Sequence, residues 1–324
     1  MRLRIRLCAR LITATLLWPA CSGDGDRAAG AADAAAVSGG EADAGSGADA
    51  APTGGFSWRM AGALALWGEP LTASPSALLA DHFSYVGQYA MNGCASNTSP
   101  YSCAANGCNY PGNPLSSEVA PSYEELAAWV GAQQAEGLFA GIWAVTYEAP
   151  EAEAHCMAEI ANTLRAEQGA VIDFLVVDAE KSYETHKADG YTQRFVDTFD
   201  AAIAFSLARA EAPECHIDID YGYWAAHDFA IQSQAYWNAY GVNPSWCLDW
   251  VRRYGVPDDM NQVMLDGWAA GPDAAHSPGD YADDIATFGG VGFSIWRTLP
   301  SADAWDTWRA LIETRSIADY PPPG

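Results

Sequence analysis

Positive charge is what this sequence has least of. Its 324 residues carry 16 Lys and Arg against 41 Asp and Glu, a formal net charge of -25. Arg2, Arg4, Arg6 and Arg10 fall in a first stretch of 20 residues without a single acid, so the remainder is more acidic still. Such a surface repels phosphate backbones and anionic lipid, which argues against nucleic acid as a partner. It also weighs against strongly anionic cell-wall polymers as substrates. The chain has no Gly-x-Ser-x-Gly elbow, which removes the common serine-hydrolase geometry. It has no Gly-rich loop after a strand, which disfavours a nucleotide-binding open sheet. It has no Cys-x-x-Cys pair, which disfavours structural zinc. No internal repeat is visible.

The N-terminus reads as an export signal. A basic segment, "MRLRIRLCAR", precedes the apolar run "LITATLLW", and "PAC" follows. The run is too short to span a bilayer permanently. Cys21 follows the small residue Ala20 and reads as the lipid-acceptor cysteine of a bacterial lipoprotein, although Trp18 and Pro19 depart from the usual pattern. Simple secretion needs the same basic and apolar regions. Residues 22–54 are mostly Ala, Gly, Asp and Ser with no aromatic side chain, a composition that buries no core and reads as a disordered tether. The expected organisation is a signal over 1–21, a linker over 22–54 and one folded domain over 55–324. The protein is expected to be exported, monomeric, and in contact with membrane only through that anchor. Six cysteines follow Cys21, at 94, 103, 108, 156, 215 and 247. An even number in an exported chain predicts disulfides, with the pairing left open.

From Phe56 onward, short apolar runs alternate with helical patterns. Eight runs read as strands: 61–68, 83–90, 138–147, 172–180, 215–224, 230–237, 261–268 and 290–296. Helices are expected from Ser74, from Ser122 (a capping box with Glu125, ended at Gly137), over 150–169, over 191–210 and near the C-terminus. Between the fifth and sixth runs there is room for one helical turn at most. Eight strands alternating with helices predict an α/β fold, a (β/α)8 TIM barrel.

The barrel explains an otherwise odd stretch, "VIDFLVVDAEKSYE". An apolar strand ends there on two carboxylates one residue apart, Asp178 and Glu180. Side chains alternate along a strand, so Phe174, Val176, Asp178 and Glu180 share one face and Leu175, Val177 and Ala179 the other. The wholly apolar second set suits the helix layer. The first then faces the interior, and its acids arrive at the C-terminal rim, where barrel active sites lie. Two acids are costly to bury there without a function. Other strand ends add Asp218 and Asp220 (with His216 at the strand start, read as structural), Gln232, Gln234, Tyr236 and Asn238, then Ser294 and Trp296. Carboxylates, an amide, a phenol and indoles at one mouth point to a carbohydrate site. Asp220, Gln234, Tyr236 and Trp296 are the expected substrate-binding residues. No metal or organic cofactor is implied.

The Asp-x-Glu of "VVDAE", with "QAYWN" and the Trp of "FSIW" in barrel order, resembles the glycoside hydrolases that cleave N-acetylhexosaminides. Two families are involved: family 25, the lysozyme-like muramidases, and family 18, the chitinases. The likeness covers most of residues 58–310. It departs from the chitinase motif, where Leu175 and Val176 replace upstream acids and only Asp173 precedes. It departs from the muramidase motif too, with Trp67 and Glu69 where an Asp ends the first strand. The resemblance implies a hydrolase of a β-linked N-acetylhexosamine-containing glycan that retains anomeric configuration. Glu180 would be the general acid. Asp178 would orient the substrate's own acetamido group as nucleophile. The spacing of i and i+2 on one strand also favours retention over an inverting pair. The alternative is a catalytically inactive carbohydrate-binding barrel lipoprotein.

Overall fold

A computed structural model describes residues 55–64, 83–93, 122–179, 181–266, 275–286 and 292–296. Outside them lie the expected signal, Cys21 and the linker, the helix from Ser74 and the C-terminal helix. So do Trp67, Glu69, Cys94, Cys103, Cys108 and Glu180. The strands are β1 (Ala61–Leu64), β2 (Tyr85–Asn92), β3 (Phe139–Thr146), β4 (Phe174–Ala179), β5 (Ala208–Glu211), β6 (Phe229–Ala235), β7 (Asn261–Asp266) and β8 (Phe293–Trp296). They close into a barrel in chain order, each parallel to its neighbours, with β8 pairing back onto β1. Among the described residues the helices are α1 (Tyr123–Ala135), α2 (Pro150–Gln168), α3 (Lys181–Thr185), α4 (Tyr191–Ala202), α5 (Tyr221–Ala226), α6 (Trp237–Tyr240), α7 (Pro244–Arg252) and α8 (Pro278–Ala286). The expected (β/α)8 architecture is the observed one.

Local signals set the helix ends. The Glu125 N–H donates to Ser122 Oγ at 3.1 Å, capping α1. Gly169 ends α2 in the left-handed region at φ 68°, where a side chain would be strained. Alternation then sorts the layers. Phe174 and Val176 enter the barrel interior, while Leu175, Val177 and Ala179 pack under the helices. Each fully buried Leu, Val or Phe contributes about 1.5–3 kcal/mol. Gly141 lies opposite Phe174 in register, and a Cβ there would come within 2.5 Å of the phenyl ring. Glycine is what lets that ring into the barrel. Phe56 stacks on Phe174 at 5.1 Å, and Trp58 meets Tyr85 and Phe174 edge-on. Tyr85 and Phe174 start their strands, so this cluster seals the N-terminal end and leaves the opposite rim for a site.

The fifth strand corrects the sequence reading. The α4 helix stops at Ala202, and β5 is "ARAE", Ala208–Glu211, between β4 and β6. Residues 191–210 are therefore not one helix, and 215–224 are not a strand. Arg209 and Glu211 share the parity of the helix layer, so β5 shows no apolar alternation. Arg209 is accommodated by an ion pair with Asp200 and by lying over the rings of Phe199 and Phe229 at 5.8 and 4.8 Å. The stretch read as a strand is a loop followed by α5.

Candidate functional site

Four strands, β3, β4, β6 and β8, contribute to one cavity of about 400 Å³, whose lining includes Trp143, Asp178, Gln234, Tyr236 and Trp296. Asp178 stands half-buried near the end of β4, as alternation predicts. Gln234, on β6, donates from Nε2 to Asp178 Oδ1 at 2.7 Å and to the Ala212 carbonyl at 2.7 Å. Both partners are acceptors, which settles the orientation of the amide. The Gln234 N–H in turn donates to the Pro213 carbonyl at 2.9 Å, so the amide is fixed on a fixed backbone. Thr146 Oγ1 donates to the Asp178 carbonyl at 3.3 Å from the other side.

In the same cavity, Tyr236 and Trp296 stack with ring centroids 5.3 Å apart and 12° between planes. Tyr236 is buried and Trp296 half-buried, and the phenol donates to Met264 Sδ at 3.2 Å. The two rings thus act as one aromatic unit rather than two separate platforms. Trp143 extends the apolar lining, with Tyr89 behind it at 4.7 Å. Deeper in the barrel, Gln232 donates to the Tyr85 hydroxyl at 3.1 Å and Ser294 contacts Gln232 at 3.4 Å, a buried polar layer below the site. Asn238 serves α6, exchanging hydrogen bonds with the His276 backbone at 2.8 Å each.

Of the expected site residues, Asp178, Gln234, Tyr236 and Trp296 come together. Glu180 lies outside the described residues. Asp220 does not reach the cavity. It caps α5, accepting from the Tyr223 N–H at 3.3 Å and from Gln193 Nε2 at 2.5 Å. A helix needs that acceptor at its N-terminus, and the misplaced fifth strand hid the requirement. Asp218 is likewise drawn off, paired with Lys187 at 2.6 Å and Tyr254 at 3.0 Å. His216 sits in the same loop at φ 80°, where burial lowers its pKa to about 4.

Sequence reasoning missed Trp143 and Val145 on β3, and Glu214, Cys215, Tyr240 and Val242, which also line the cavity. Trp143 was within reach, since Phe139, Gly141, Trp143 and Val145 share the interior parity of β3. Tyr240 ends the short helix α6, and Glu214, Cys215 and Val242 sit on loops whose course only the fold defines. Two acids were missed as well. Asp266, ending β7, accepts from the Ala239 N–H at 2.9 Å and from the Tyr281 hydroxyl, and burial raises its pKa. It anchors α6. Glu211, ending β5, is fully buried on the helix-layer side, opposite Val177. Burial first, and the nearby Asp178 second, push its carboxyl well above the ordinary range, opposed by the Ala179 N–H.

Cys215 and Cys247 form a disulfide that fastens the loop after β5 to α7, and Cys156 is also disulfide-bonded. Among the described residues, the ligand atoms of Cys215, His216 and Cys247 lie within 4.8 Å of one another. The disulfide takes both sulfurs, which removes them as metal ligands.

No protein-family model and no curated protein matches the sequence. Among solved structures, the chain is similar to a family 18 chitinase from Pseudoalteromonas aurantia (12% identity, TM-score 0.49, 79% of this chain and 98% of that one). It is similar to an endo-beta-1,4-glucanase from Xanthomonas axonopodis pv. citri (11%, 0.49, 80% and 99%). It is also similar to a xylanase and alpha-amylase inhibitor protein from Scadoxus multiflorus (13%, 0.48, 80% and 98%). The first carries the family 18 name of the sequence resemblance, and the family 25 resemblance rests on sequence motifs alone. At these identities the likeness is one of barrel fold.

Proposed function

We propose that this protein is an exported glycoside hydrolase acting on a β-linked N-acetylhexosamine-containing glycan. One observation carries the reading: an acid at a barrel strand end, held by an amide, lines one cavity with a stacked Tyr–Trp pair. A sugar ring offers an apolar face to aromatic rings and hydroxyls to polar groups, and this lining matches both demands. A large aromatic side chain covered by a sugar contributes about 1.5–3 kcal/mol.

In the proposed reaction Glu180, assigned by its sequence position two residues past Asp178, protonates the leaving glycosidic oxygen. Asp178, already fixed by Gln234, orients the substrate acetamido group and stabilises the positive charge that develops at the sugar carbon. The acetamido oxygen attacks that carbon as the glycosidic bond breaks, and water then opens the cyclic intermediate with retention. The acetamido step comes from the sequence resemblance. The disulfides support an extracytoplasmic setting, and attachment through Cys21 belongs to the same proposal. The test is a panel of soluble β-linked N-acetylhexosamine oligomers, followed for both binding and product. Turnover with retained configuration is the expected result. Binding without turnover would make the protein a carbohydrate-binding barrel, and neither binding nor turnover would end the glycan reading.

A further inference from the structure

We infer that Tyr240 and Glu214 form a second sugar-binding position at the outer rim of the cavity, so the ligand is an oligosaccharide rather than one terminal unit. This rests on the glycan reading above and extends its site outward. Tyr240 is 75% exposed, and with Val171 and Trp246 it makes up the large hydrophobic side chains exposed among the described residues. It is the one of the three that lines the cavity. Leaving an aromatic ring in water at a cavity mouth has no benefit for folding.

The backbone that carries the ring is also held in place before any ligand arrives. Tyr240 ends α6, and its N–H donates to the Tyr236 carbonyl at 2.7 Å. Gly241 closes the turn in the left-handed region at φ 73°. The helix itself is pinned by the Ala239 N–H on Asp266 and by the Asn238–His276 pair. A backbone already fixed in the free protein leaves only the side chain of Tyr240 to be ordered on binding. Its ring centroid is 6.0 Å from Tyr236, tilted by 37°, so the aromatic surface continues from the Trp296–Tyr236 stack to the rim. Glu214 supplies the polar half. It lines the same cavity, is exposed, and its backbone bridges to Gln234. The Cys215–Cys247 disulfide fixes the next residue. An apolar face beside a carboxyl is what a second ring and its hydroxyls require.

The test compares β-1,4-linked N-acetylglucosamine oligomers of two and six units by calorimetry in a Glu180→Gln background, with the oligomers checked intact afterwards. Tyr240→Ala should weaken the six-unit oligomer about tenfold and leave the two-unit oligomer unchanged. Tyr240→Phe should bind both as the unmutated chain does, because the ring and not the hydroxyl is the platform. Glu214→Gln should weaken only the longer oligomer. Equal affinity of Tyr240→Ala for the six-unit chain overturns the inference. Equal loss for both lengths also overturns it, by placing Tyr240 in the inner site. If the unmutated chain binds neither oligomer, the glycan reading fails and this inference goes with it.

Discussion

One amide of Gln234 holds both the Asp178 carboxylate and the Ala212 carbonyl at 2.7 Å, tying the ends of β4, β5 and β6 together under the cavity. A hydrogen bond to a charged group contributes about 1.5–3 kcal/mol. Gln234→Leu keeps the volume and deletes both bonds. Hydrolysis is expected to fall about 10- to 100-fold, with the loss in kcat rather than KM. Steady-state kinetics beside a denaturation curve separates this from general unfolding. An unchanged kcat would make the clamp a structural tie between strands.

Glu180→Gln preserves the shape of the expected general acid and removes its proton. Hydrolysis should then drop by roughly 10²–10⁴-fold while oligosaccharide affinity stays within a factor of two or so. A fully active variant would take Glu180 out of the mechanism and leave Asp178 as the acid to examine.

These two residues mark the limit of what the sequence could reveal. Eight runs in order made the barrel legible. Parity placed Asp178, Gln234, Tyr236 and Trp296 at one mouth because period-2 alternation is a local property of each strand. It failed at β5, where Arg209 and Glu211 occupy helix-layer positions and break the apolar pattern. From that error came the assignment of Asp220 to the site, when its carboxylate belongs to the N-terminus of α5. Tyr240 and Glu214 were not legible at all, since no periodicity fixes where a four-residue helix or a loop brings a side chain. The stacking of Tyr236 on Trp296 depends on β6 and β8 flanking β7 in the closed barrel, which patterns along the chain do not encode.

Glu211 sets a pH dependence of stability. Its folded pKa is raised by burial and by Asp178, so the native state binds its proton more tightly than the unfolded chain does. Stability from this group is therefore full below the ordinary carboxyl pKa and is lost as pH rises from there towards the raised value. The limiting slope is about 1.4 kcal/mol per pH unit for one proton. Tyr183, Tyr221 and Glu153 share its surroundings. Glu211→Gln removes the titration, so unfolding measured from pH 4 to 9 should decline less steeply in the variant. Parallel curves for the two proteins would mean that Glu211 is charged in the folded state.

The Cys215–Cys247 bond closes a loop with a sequence separation of 32. Loop entropy for that length gives a stabilisation of about 3–4 kcal/mol. Protein recovered from an oxidising compartment should yield few free thiols on titration under denaturing, non-reducing conditions. Replacing both cysteines with Ser should lower the unfolding midpoint and loosen the wall that carries Glu214, which proteolysis near residue 215 would detect. Five or six titratable thiols in the exported protein would contradict the disulfide reading.

Trp296 separates a binding surface from a barrel plug. It ends β8, pairs in register with Leu64 and Asp266, and stacks on Tyr236 at the cavity. If a sugar ring covers this stack, Trp296→Ala removes aromatic contact area and should weaken oligosaccharide binding about 10- to 100-fold. The substitution also removes packing from Tyr236, so stability must be followed in the same samples. A conservative partner, Trp296→Phe, keeps a stacked ring and should recover most of the affinity lost in the alanine variant. The two readouts then divide cleanly. Lost affinity with a preserved unfolding midpoint assigns the indole to the ligand. A lowered midpoint with unchanged affinity assigns it to the closure of the barrel, and the aromatic half of the site would have to rest on Trp143 and Tyr240 instead.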